Sequence, residues 1–375
     1  MIGALPAFAS FVIWLVLLFG RGFFWRTRER DDQGEPAPPA SWPSVVAVVP
    51  ARDEAQLIAQ SLKSLLAQDY PGELSVILVD DQSSDATGAI AGALGDARLS
   101  VLRGAEHPAG WTGKLFAVHQ GVAMAGTPDY LWLTDADIEH ASDNLRRLVA
   151  RAKAGKLVLV SLMVKLRCES FAERFLIPAF VFFFAMLFPF AWANDPKRRS
   201  AAAAGGCMLV NRAALERAGG IEAIRAAIID DCALARALKK QGPIWLGLTQ
   251  RAVSLRPYPR IADIARMVSR SAYAQLRYSP AVLAGTVLGM AVLYIAPLAG
   301  LFEGGLAALF GALAWAAMAL AFQPMLHFYR RSPLWGLALP LIGVFYAAFT
   351  LDSAVQFWRG RGGMWKGRAQ AIAGT

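Results

Sequence analysis

Five apolar runs without a charged residue restrict the fold of this chain more than any other feature. A helix of about 20 residues is about 30 Å long, which matches the hydrocarbon core of a bilayer. The composition agrees, because 56% of the 375 residues are apolar and 18% are charged, against about 25% charged in an average soluble domain. The sequence therefore predicts a membrane protein, with apolar runs at residues 1–20, 175–194, 281–302, 304–326 and 332–351.

Basic residues follow the first apolar run, in the segment RGFFWRTRER at residues 21–30. A secretory signal peptide has the opposite order, so we predict a retained transmembrane anchor over residues 1–25, with the basic segment in the cytoplasm. The formal net charge is +10, and Lys and Arg cluster beside the apolar runs. This placement favours binding to anionic lipid head groups over binding to nucleic acid.

A region in which apolar, strand-like segments alternate with helical ones follows a Pro-rich linker at residues 26–43. Strands are predicted at residues 44–51, 73–81 and 130–137. Strands and helices alternate from residue 44 to about residue 165, which predicts an α/β domain with a mostly parallel, Rossmann-like sheet. The whole domain is predicted to cover residues 44–255. Residues 197–280, which include the end of this domain and the segment after it, are expected to be mainly helical.

The remaining segments are predicted to form the membrane region. The run at 175–194 is long enough to span a bilayer, but its two prolines and eight aromatic residues also suit an interfacial or re-entrant segment. The other predicted parts are an amphipathic interfacial helix at 256–280, transmembrane helices at 281–358 and a basic tail at 359–375.

Carboxylate pairs follow two of the predicted strands, VDD at Asp80 and Asp81 and DAD at Asp135 and Asp137. The carboxyl ends of parallel strands meet at one edge of a sheet, where ligands bind. Two carboxylates there favour a hard divalent cation, Mg²⁺ or Mn²⁺, which commonly shares phosphate oxygens of a ligand. The alternative is that these residues are ordinary turn formers.

Two further segments carry candidate chemistry. In GWTGK, Lys114 near a helix amino terminus is suited to phosphate, although Pro108 and Leu115 exclude a P-loop; the alternative is a solvated lysine. Asp230 and Asp231 begin an amphipathic helix, where they either cap the helix or take a proton from a hydroxyl group. In the amphipathic helix before the membrane region, Gln275 and Arg277 are candidates for substrate contact in addition to interfacial anchoring.

Taken together, these motifs resemble the family 2 glycosyltransferases with the GT-A fold, in consistent order over about residues 44–280. The segments that carry the resemblance are VVPARDEA, LLAQDYPGELSVILVDDQSSDAT, GWTGKLFAVHQG, TDAD, GGCMLVNRAAL and IDD. The ending RGRGGMWKGR is similar to the Trp-Lys-Gly-Arg ending of membrane-bound members. A narrower resemblance, in KLRCES, FAERFLIPAFVFFF and IDDCALARALKK, is to the hopene-associated glycosyltransferases of bacteria.

The resemblance implies a GT-A nucleotide-sugar-binding domain with an N-terminal transmembrane anchor and a C-terminal helical membrane region. It implies inverting transfer of one sugar from a nucleotide-diphosphate sugar, most simply a UDP-sugar, to a membrane lipid such as a hopanoid. The catalytic base would be Asp231, next to Asp230, and the metal ligands would be Asp135 and Asp137. The donor would be bound by Glu54, Asp80, Asp81, Lys114, Asp135, Gln275 and Arg277.

One departure from the family concerns the motif Gln-x-x-Arg-Trp of processive members. Here QLRY brings Gln275 and Arg277 one residue closer and has Tyr278 in place of Trp, so we expect transfer of a single sugar. The resemblance also implies a multi-pass protein of the bacterial inner membrane with a cytoplasmic catalytic domain. Because DAD and IDD must share one site, we expect the run at 175–194 not to cross the membrane.

Two other functional classes stay open on the residues alone. A metal-dependent nucleotidyl- or phosphotransferase of lipid metabolism would also use carboxylates and a metal. A non-catalytic membrane scaffold would leave the strand-end carboxylates expendable.

Overall fold

The computed structural model of the protein describes residues 4–34, 36–363 and 366. These residues form two compact units. We call Glu29–Arg167 with Trp192–Pro257 the α/β unit, and Met1–Arg28 with Cys168–Ala191 and Tyr258–Thr375 the helical unit. Part of the predicted basic tail, residues 364–365 and 367–375, lies outside the described residues, as do the first three residues of the predicted anchor.

Eight strands belong to one sheet, which lies entirely in the α/β unit. Its spatial order is β3-β2-β1-β4-β7-β6-β8-β5. The pairs of β1 with β2, β1 with β4, β2 with β3 and β6 with β8 are parallel, and the other three pairs are antiparallel. The strands are β1 Val45–Ala51, β2 Leu74–Asp80, β3 Leu99–Arg103, β4 Tyr130–Thr134, β5 Ile138–His140, β6 Leu159–Lys165, β7 Cys207–Asn211 and β8 Ile244–Ser254.

Fifteen α-helices are present in the described part of the chain. They are α1 Ala4–Gly20, α2 Ile58–Leu66, α3 Thr87–Gly92, α4 Gly113–Met124, α5 Asn144–Gly155, α6 Phe171–Leu187, α7 Phe190–Asn194, α8 Arg212–Arg217, α9 Asp230–Lys239, α10 Ile261–Ser269, α11 Ala272–Gln275, α12 Pro280–Met290, α13 Ala296–Glu303, α14 Gly305–Phe328 and α15 Leu339–Trp358. A π-helical turn, Ala291–Ile295, joins α12 to α13.

The sheet has an apolar core on both of its faces. Successive strand side chains point to opposite faces, so Val45, Ala47 and Val49 of β1 belong to one core cluster and Val46 and Val48 to the other. Helices α2 and α5 cover the first face, and α4 and α9 cover the second. A sheet covered on both faces requires uninterrupted apolar strands such as VVAVVPA.

These observations confirm the predicted α/β fold with a mostly parallel sheet. The expectation that residues 197–280 are mainly helical is wrong in part, because β7 and β8 lie within that range. Both strands are held by partners distant in sequence: β7 pairs with β4 and β6, and β8 pairs with β6 and β5. Their stability therefore comes from pairing that a local pattern does not contain.

Among the described residues, three helical stretches are long and apolar enough to cross a membrane by length and composition: Pro280–Glu303, Gly305–Phe328 and Pro333–Trp358. The helix at the amino terminus, Ala4–Gly20, is also apolar but shorter. The run predicted at 175–194 is divided between α6 and α7. A capping box at the start of α6, made by Ser170 and Glu173, fixes where that helix begins.

Candidate active site

The carboxyl ends of three neighbouring parallel strands, β1, β2 and β4, meet at one edge of the sheet. Asp80 is the last residue of β2 and is in register with Ala51, the last residue of β1. Asp135 directly follows Thr134, the last residue of β4. The predicted strand-end carboxylates therefore lie at the same edge, as the parallel pairing requires.

The turns that follow β1 and β2 are tied to each other by hydrogen bonds. The backbone N–H of Asp53 donates to Ser83 Oγ at 3.0 Å, and the N–H of Ser84 donates to Asp53 Oδ1 at 2.7 Å. The N–H of Glu54 donates to Thr87 Oγ1 at 2.8 Å. Asp53 has a left-handed backbone conformation with φ of 50°, a strained state that the surrounding contacts hold in place.

The two aspartates of VDD lie in different environments. Asp80 accepts a hydrogen bond from the N–H of Ser83 at 3.0 Å, whereas the side chain of Asp81 is fully buried. Arg52 places its guanidinium 3.7 Å from the Asp81 carboxylate and donates to the Asp81 carbonyl oxygen at 2.6 Å. Burial of a carboxylate requires such a partner, and the sequence analysis did not identify Arg52.

Lys114 connects the DAD motif to the IDD motif. Its Nζ lies 2.8 Å from Asp135 Oδ1 and 3.2 Å from Asp230 Oδ2. The side chain of Thr112 accepts a hydrogen bond from the N–H of Leu115 and so caps α4 at the turn that presents Lys114. Two motifs that are about a hundred residues apart in sequence therefore share one cation.

Asp231 is held by two backbone donors. The N–H of Gly205 donates to Asp231 Oδ2 at 3.0 Å, and the N–H of Cys232 donates to Oδ1 at 2.6 Å. Burial and the adjacent charge of Asp230 raise the pKa of Asp231 to about 6, although Lys114 and the two N–H groups act in the opposite direction. A Cβ at position 205 would lie 3.4 Å from Lys114 Nζ and 3.6 Å from Asp231 Cβ, so glycine keeps this side of the site open.

A cavity at this edge of the sheet is lined by Lys114, Thr134, Asp135, Gly205 and Asp230 on its polar side. Apolar side chains complete its wall: Pro50, Leu115, Val118, Leu133, Met208, Ile221, Ile224 and Leu234. A few convergent polar groups in an otherwise apolar cavity are typical of a small-molecule site. Burial, together with the neighbouring charge of Asp137 and against the attraction of Lys114, raises the pKa of Asp135.

A buried polar chain lies behind the site. His140 is buried, and its Nε2 lies 2.9 Å from Thr134 Oγ1. The hydroxyl group of Thr134 donates to the Gly206 carbonyl oxygen at 2.8 Å. Because that hydroxyl has a single proton, it accepts from His140 Nε2–H, and His140 Nδ1 accepts from Asn144 Nδ2 at 3.0 Å. Burial lowers the pKa of His140 to about 3, consistent with this neutral tautomer.

Arg256 occupies a position that the sequence analysis missed. Its Nε donates to Asp137 Oδ2 at 2.8 Å, and its Nη2 donates to Glu54 Oε1. The arginine follows β8, which lies in the range 197–280 that the sequence pattern predicts to be mainly helical. The sequence therefore does not predict that Arg256 lies at this edge of the sheet. Glu54, predicted only as a donor-binding residue, is nearly buried beneath this contact.

The predicted site residues thus separate into two groups. Glu54, Asp80, Asp81, Lys114, Asp135, Asp137, Asp230 and Asp231 all lie in the α/β unit. Gln275 and Arg277 lie in the helical unit, where Gln275 is the last residue of α11 and Arg277 has a left-handed backbone with φ of 54°. Their contact with a substrate stays a prediction.

The chemistry of the donor set fits a divalent cation at DAD. Asp135 and Asp137 offer carboxylate oxygens, the ligand type that Mg²⁺ and Mn²⁺ prefer. Among residues 4–34, 36–363 and 366, no three His, Cys, Asp or Glu side chains converge closely enough to hold a metal by themselves. A cation bound by one or two carboxylates completes its shell with water and phosphate oxygens.

Comparisons with known proteins agree with this arrangement. Residues 46–219 match the model of the family described as glycosyl transferase family 2. Two curated relatives, the 4,4'-diaponeurosporenoate glycosyltransferases of Staphylococcus aureus strains bovine RF122 / ET3-1 and MRSA252, are 34% and 33% identical over 95 residues. That stretch is 25% of this chain, and the chain spans only 24% of the length of these relatives.

Similarity of structure extends further along the chain than similarity of sequence. The mannosyltransferase PcManGT of Pyrobaculum calidifontis, solved in complex with GDP-Man and Mn²⁺, superposes with a TM-score of 0.52. The alignment covers 93% of this chain and 98% of that one at 21% sequence identity, and so it establishes the fold. The α/β unit of this chain therefore has the GT-A-type fold, and residues 46–219 are similar to the glycosyl transferase family 2.

Proposed function

We propose that the protein is an inverting glycosyltransferase that moves one sugar from a nucleotide-diphosphate sugar to a membrane lipid. The observation that carries the proposal is the Lys114 bridge, which joins Asp135 of DAD to Asp230, the neighbour of Asp231, in a cavity that these three bridged residues line. Leaving-group stabilisation and proton removal are needed on opposite sides of one anomeric carbon. A site with a cationic centre and an adjacent carboxylate supports both.

The residues have separate roles in this mechanism. Asp231 takes the proton from the acceptor hydroxyl as its oxygen forms a bond to the anomeric carbon. The bond from that carbon to the diphosphate oxygen breaks, and its electron pair leaves with the nucleotide. Lys114 stabilises the negative charge on the diphosphate. One displacement inverts the anomeric configuration.

Asp135 and Asp137 would hold the divalent cation, Mg²⁺ or Mn²⁺. When bound, such a cation supplies Lewis-acid stabilisation of the leaving diphosphate. Support for the use of a cation comes from the carboxylate donor set and from PcManGT, which was solved with Mn²⁺. The turns that carry Glu54, Asp80 and Asp81 are proposed to bind the nucleoside, because they lie at the same sheet edge.

The acceptor is proposed to be a lipid, in keeping with the three apolar helical stretches of the helical unit and with the curated relatives, which are named for 4,4'-diaponeurosporenoate. The narrower proposal, from the resemblance to the hopene-associated enzymes, is a hopanoid. QLRY in place of the processive motif supports transfer of a single sugar. The protein is proposed to be a multi-pass protein of the bacterial inner membrane with its α/β unit in the cytoplasm.

Membranes that contain the wild-type chain or the Asp231→Asn variant provide the test. They are incubated with labelled UDP-sugars and GDP-mannose in the presence of Mn²⁺, and extracted lipids are analysed by mass spectrometry. We expect the variant to lose about 10²- to 10⁴-fold in transfer rate, the usual value of general-base catalysis, while the nucleotide still raises its melting temperature.

Each alternative gives a distinct result in the same assay. A lipid product that carries the nucleotide would indicate a nucleotidyltransferase, and the absence of stabilisation by any nucleotide would indicate a scaffold. If Asp231→Asn keeps more than about a tenth of the wild-type rate, Asp231 is not the base.

A further inference from the structure

We propose that Arg256 competes with the divalent cation for the Asp137 carboxylate of the DAD motif. In this proposal, which we call the Arg256 competition, the cation displaces the guanidinium group when it binds. The inference rests on the proposed function only in taking Asp137 as a metal ligand. It concerns the partner of the Asp137 carboxylate before the donor binds. It predicts a measurable competition between the Arg256 guanidinium group and the metal.

The contacts of Arg256 show a guanidinium group shared between two carboxylates. Nε donates to Asp137 Oδ2 at 2.8 Å, and Nη2 donates to Glu54 Oε1. The side chain of Glu54 is 9% exposed and that of Asp137 is 14% exposed, whereas Arg256 is 30% exposed. Two shielded carboxylates close to one another repel each other, and one planar cation with several donors compensates both.

The backbone fixes Arg256 at this position. The ladder between β5 and β8 pairs Ile138 with Ser254. One step further, the N–H of Leu255 donates to the Asp137 carbonyl oxygen at 2.8 Å. The backbone of Arg256, the next residue, therefore lies beside the DAD turn.

The other carboxylate of the motif is compensated in the same way. Asp135 pairs with Lys114 at 2.8 Å. Both metal-ligand candidates therefore have a basic side chain as a neighbour, but the two differ in their second partner. Lys114 also holds Asp230 of the proposed catalytic pair, whereas Arg256 holds Glu54 of the β1 turn.

Displacement is favoured by charge. A divalent cation brings two positive charges and binds carboxylate oxygen directly, at about 2.0–2.1 Å for Mg²⁺. The guanidinium group brings one positive charge. Before the donor arrives, the metal must still compete with Arg256 for Asp137. We therefore expect the metal alone to bind weakly to the wild-type chain, and binding to strengthen when Arg256 is removed.

The test is a titration of the full-length chain in detergent with Mn²⁺ alone, without nucleotide, in which free Mn²⁺ is followed by electron paramagnetic resonance. Arg256→Gln should bind Mn²⁺ about tenfold more tightly than the wild type, because the competing cation is absent. Arg256→Lys should bind more tightly by a smaller factor, since one ammonium group does not span two carboxylates. Asp137→Asn in the Arg256→Gln background should remove the gain.

Arg251→Gln is the matched control. Arg251 lies on β8, the strand that precedes Arg256, and forms ion pairs of the same kind, with Asp143 at 3.0 Å and Asp31 at 3.5 Å, but it does not contact the DAD motif. We expect its Mn²⁺ affinity to equal that of the wild type. Thermal melting verifies that each variant is folded, and Arg256→Lys serves alone if Arg256→Gln is not.

The competition is contradicted if Arg256→Gln binds Mn²⁺ with unchanged or lower affinity, or if Arg251→Gln produces the same gain. Because no donor is present, this result is independent of sugar transfer. If the protein transfers no sugar but Arg256→Gln binds Mn²⁺ more tightly, the Arg256 competition is supported and the proposed function is not. If the protein transfers sugar but Arg256→Gln shows no increase in Mn²⁺ affinity, only the proposed function is supported.

Discussion

At the scale of single residues, the site depends on how a few carboxylates are compensated. Asp81 is fully buried beside Arg52, Asp135 is paired with Lys114, and Asp137 is paired with Arg256. Asp231 differs from these, because backbone N–H groups rather than a cationic side chain hold its carboxylate. It is therefore the carboxylate of the site that is best placed to gain and lose a proton.

The pH dependence of transfer follows from Asp231. Its pKa is raised to about 6 by burial and by Asp230, and only the ionised carboxylate accepts the proton of the acceptor. The rate should therefore be constant near neutrality and fall about tenfold per pH unit below about pH 6. Initial rates at saturating donor across the acidic and neutral range measure this limb.

Asp230→Asn provides the comparison for that profile. The substitution removes the neighbouring negative charge and leaves Lys114 to act more strongly on Asp231, so the acidic limb should move to lower pH. An acidic limb at the ordinary carboxylate pKa in the wild type, or no movement in the variant, would contradict the assignment of Asp231 as the base.

At the scale of elements, the site depends on how β4 and β7 are joined behind it. These strands are antiparallel, with Thr134 opposite Cys207. The hydroxyl group of Thr134 bonds to the Gly206 carbonyl oxygen at 2.8 Å, and the adjacent Gly205 N–H holds Asp231 at 3.0 Å. A short polar chain from His140 thus orients both the strand end before Asp135 and the loop before β7.

Thr134→Val tests this role as a positioning residue, because valine keeps the shape of the side chain but removes the hydroxyl group. We expect kcat to fall about 10- to 100-fold, the usual cost of losing a supporting hydrogen bond at such sites, with KM for the donor nearly unchanged. Thr134→Ser retains the hydroxyl group and should restore most of the rate. Steady-state kinetics of both variants measure these effects. An equal fall in kcat in the two variants, or a change in KM alone, would rule out a positioning role.

At the scale of the whole chain, the α/β unit is assembled from two stretches of sequence, 29–167 and 192–257, with α6 between them in the other unit. The DAD and IDD motifs come from different stretches and meet at Lys114. Both stretches therefore lie on the same side of any membrane that the apolar helices cross; that the run at 175–194 does not cross it stays a prediction.

Thiol labelling in sealed membrane vesicles tests that topology. In a Cys168→Ser background, cysteines are introduced at the exposed positions Lys153 and Arg217, one in each stretch, and at Glu303, the last residue of the first long apolar stretch. An impermeant reagent should label positions 153 and 217 from the same side and position 303 from the opposite side. Labelling of 153 and 217 from opposite sides would contradict the proposed topology.

The sequence by itself determined the α/β fold, the membrane-like helices and the location of the strand-end carboxylates. These follow from local patterns: uninterrupted apolar runs such as VVAVVPA define buried strands, and the parallel arrangement brings Asp80 and Asp135 to one edge. The motif order also indicated the family, and residues 46–219 match it.

Only the tertiary structure decided which cation meets which carboxylate. Arg256 contacts Asp137, 119 residues away in the sequence, and Glu54, 202 residues away, and β8, the strand that precedes it, is stabilised by pairing with β5 and β6. The same holds for the N–H of Gly205 at Asp231. Charge pairing and hydrogen bonding act over a few ångströms in space, and no spacing along a chain specifies which distant residues come within that range.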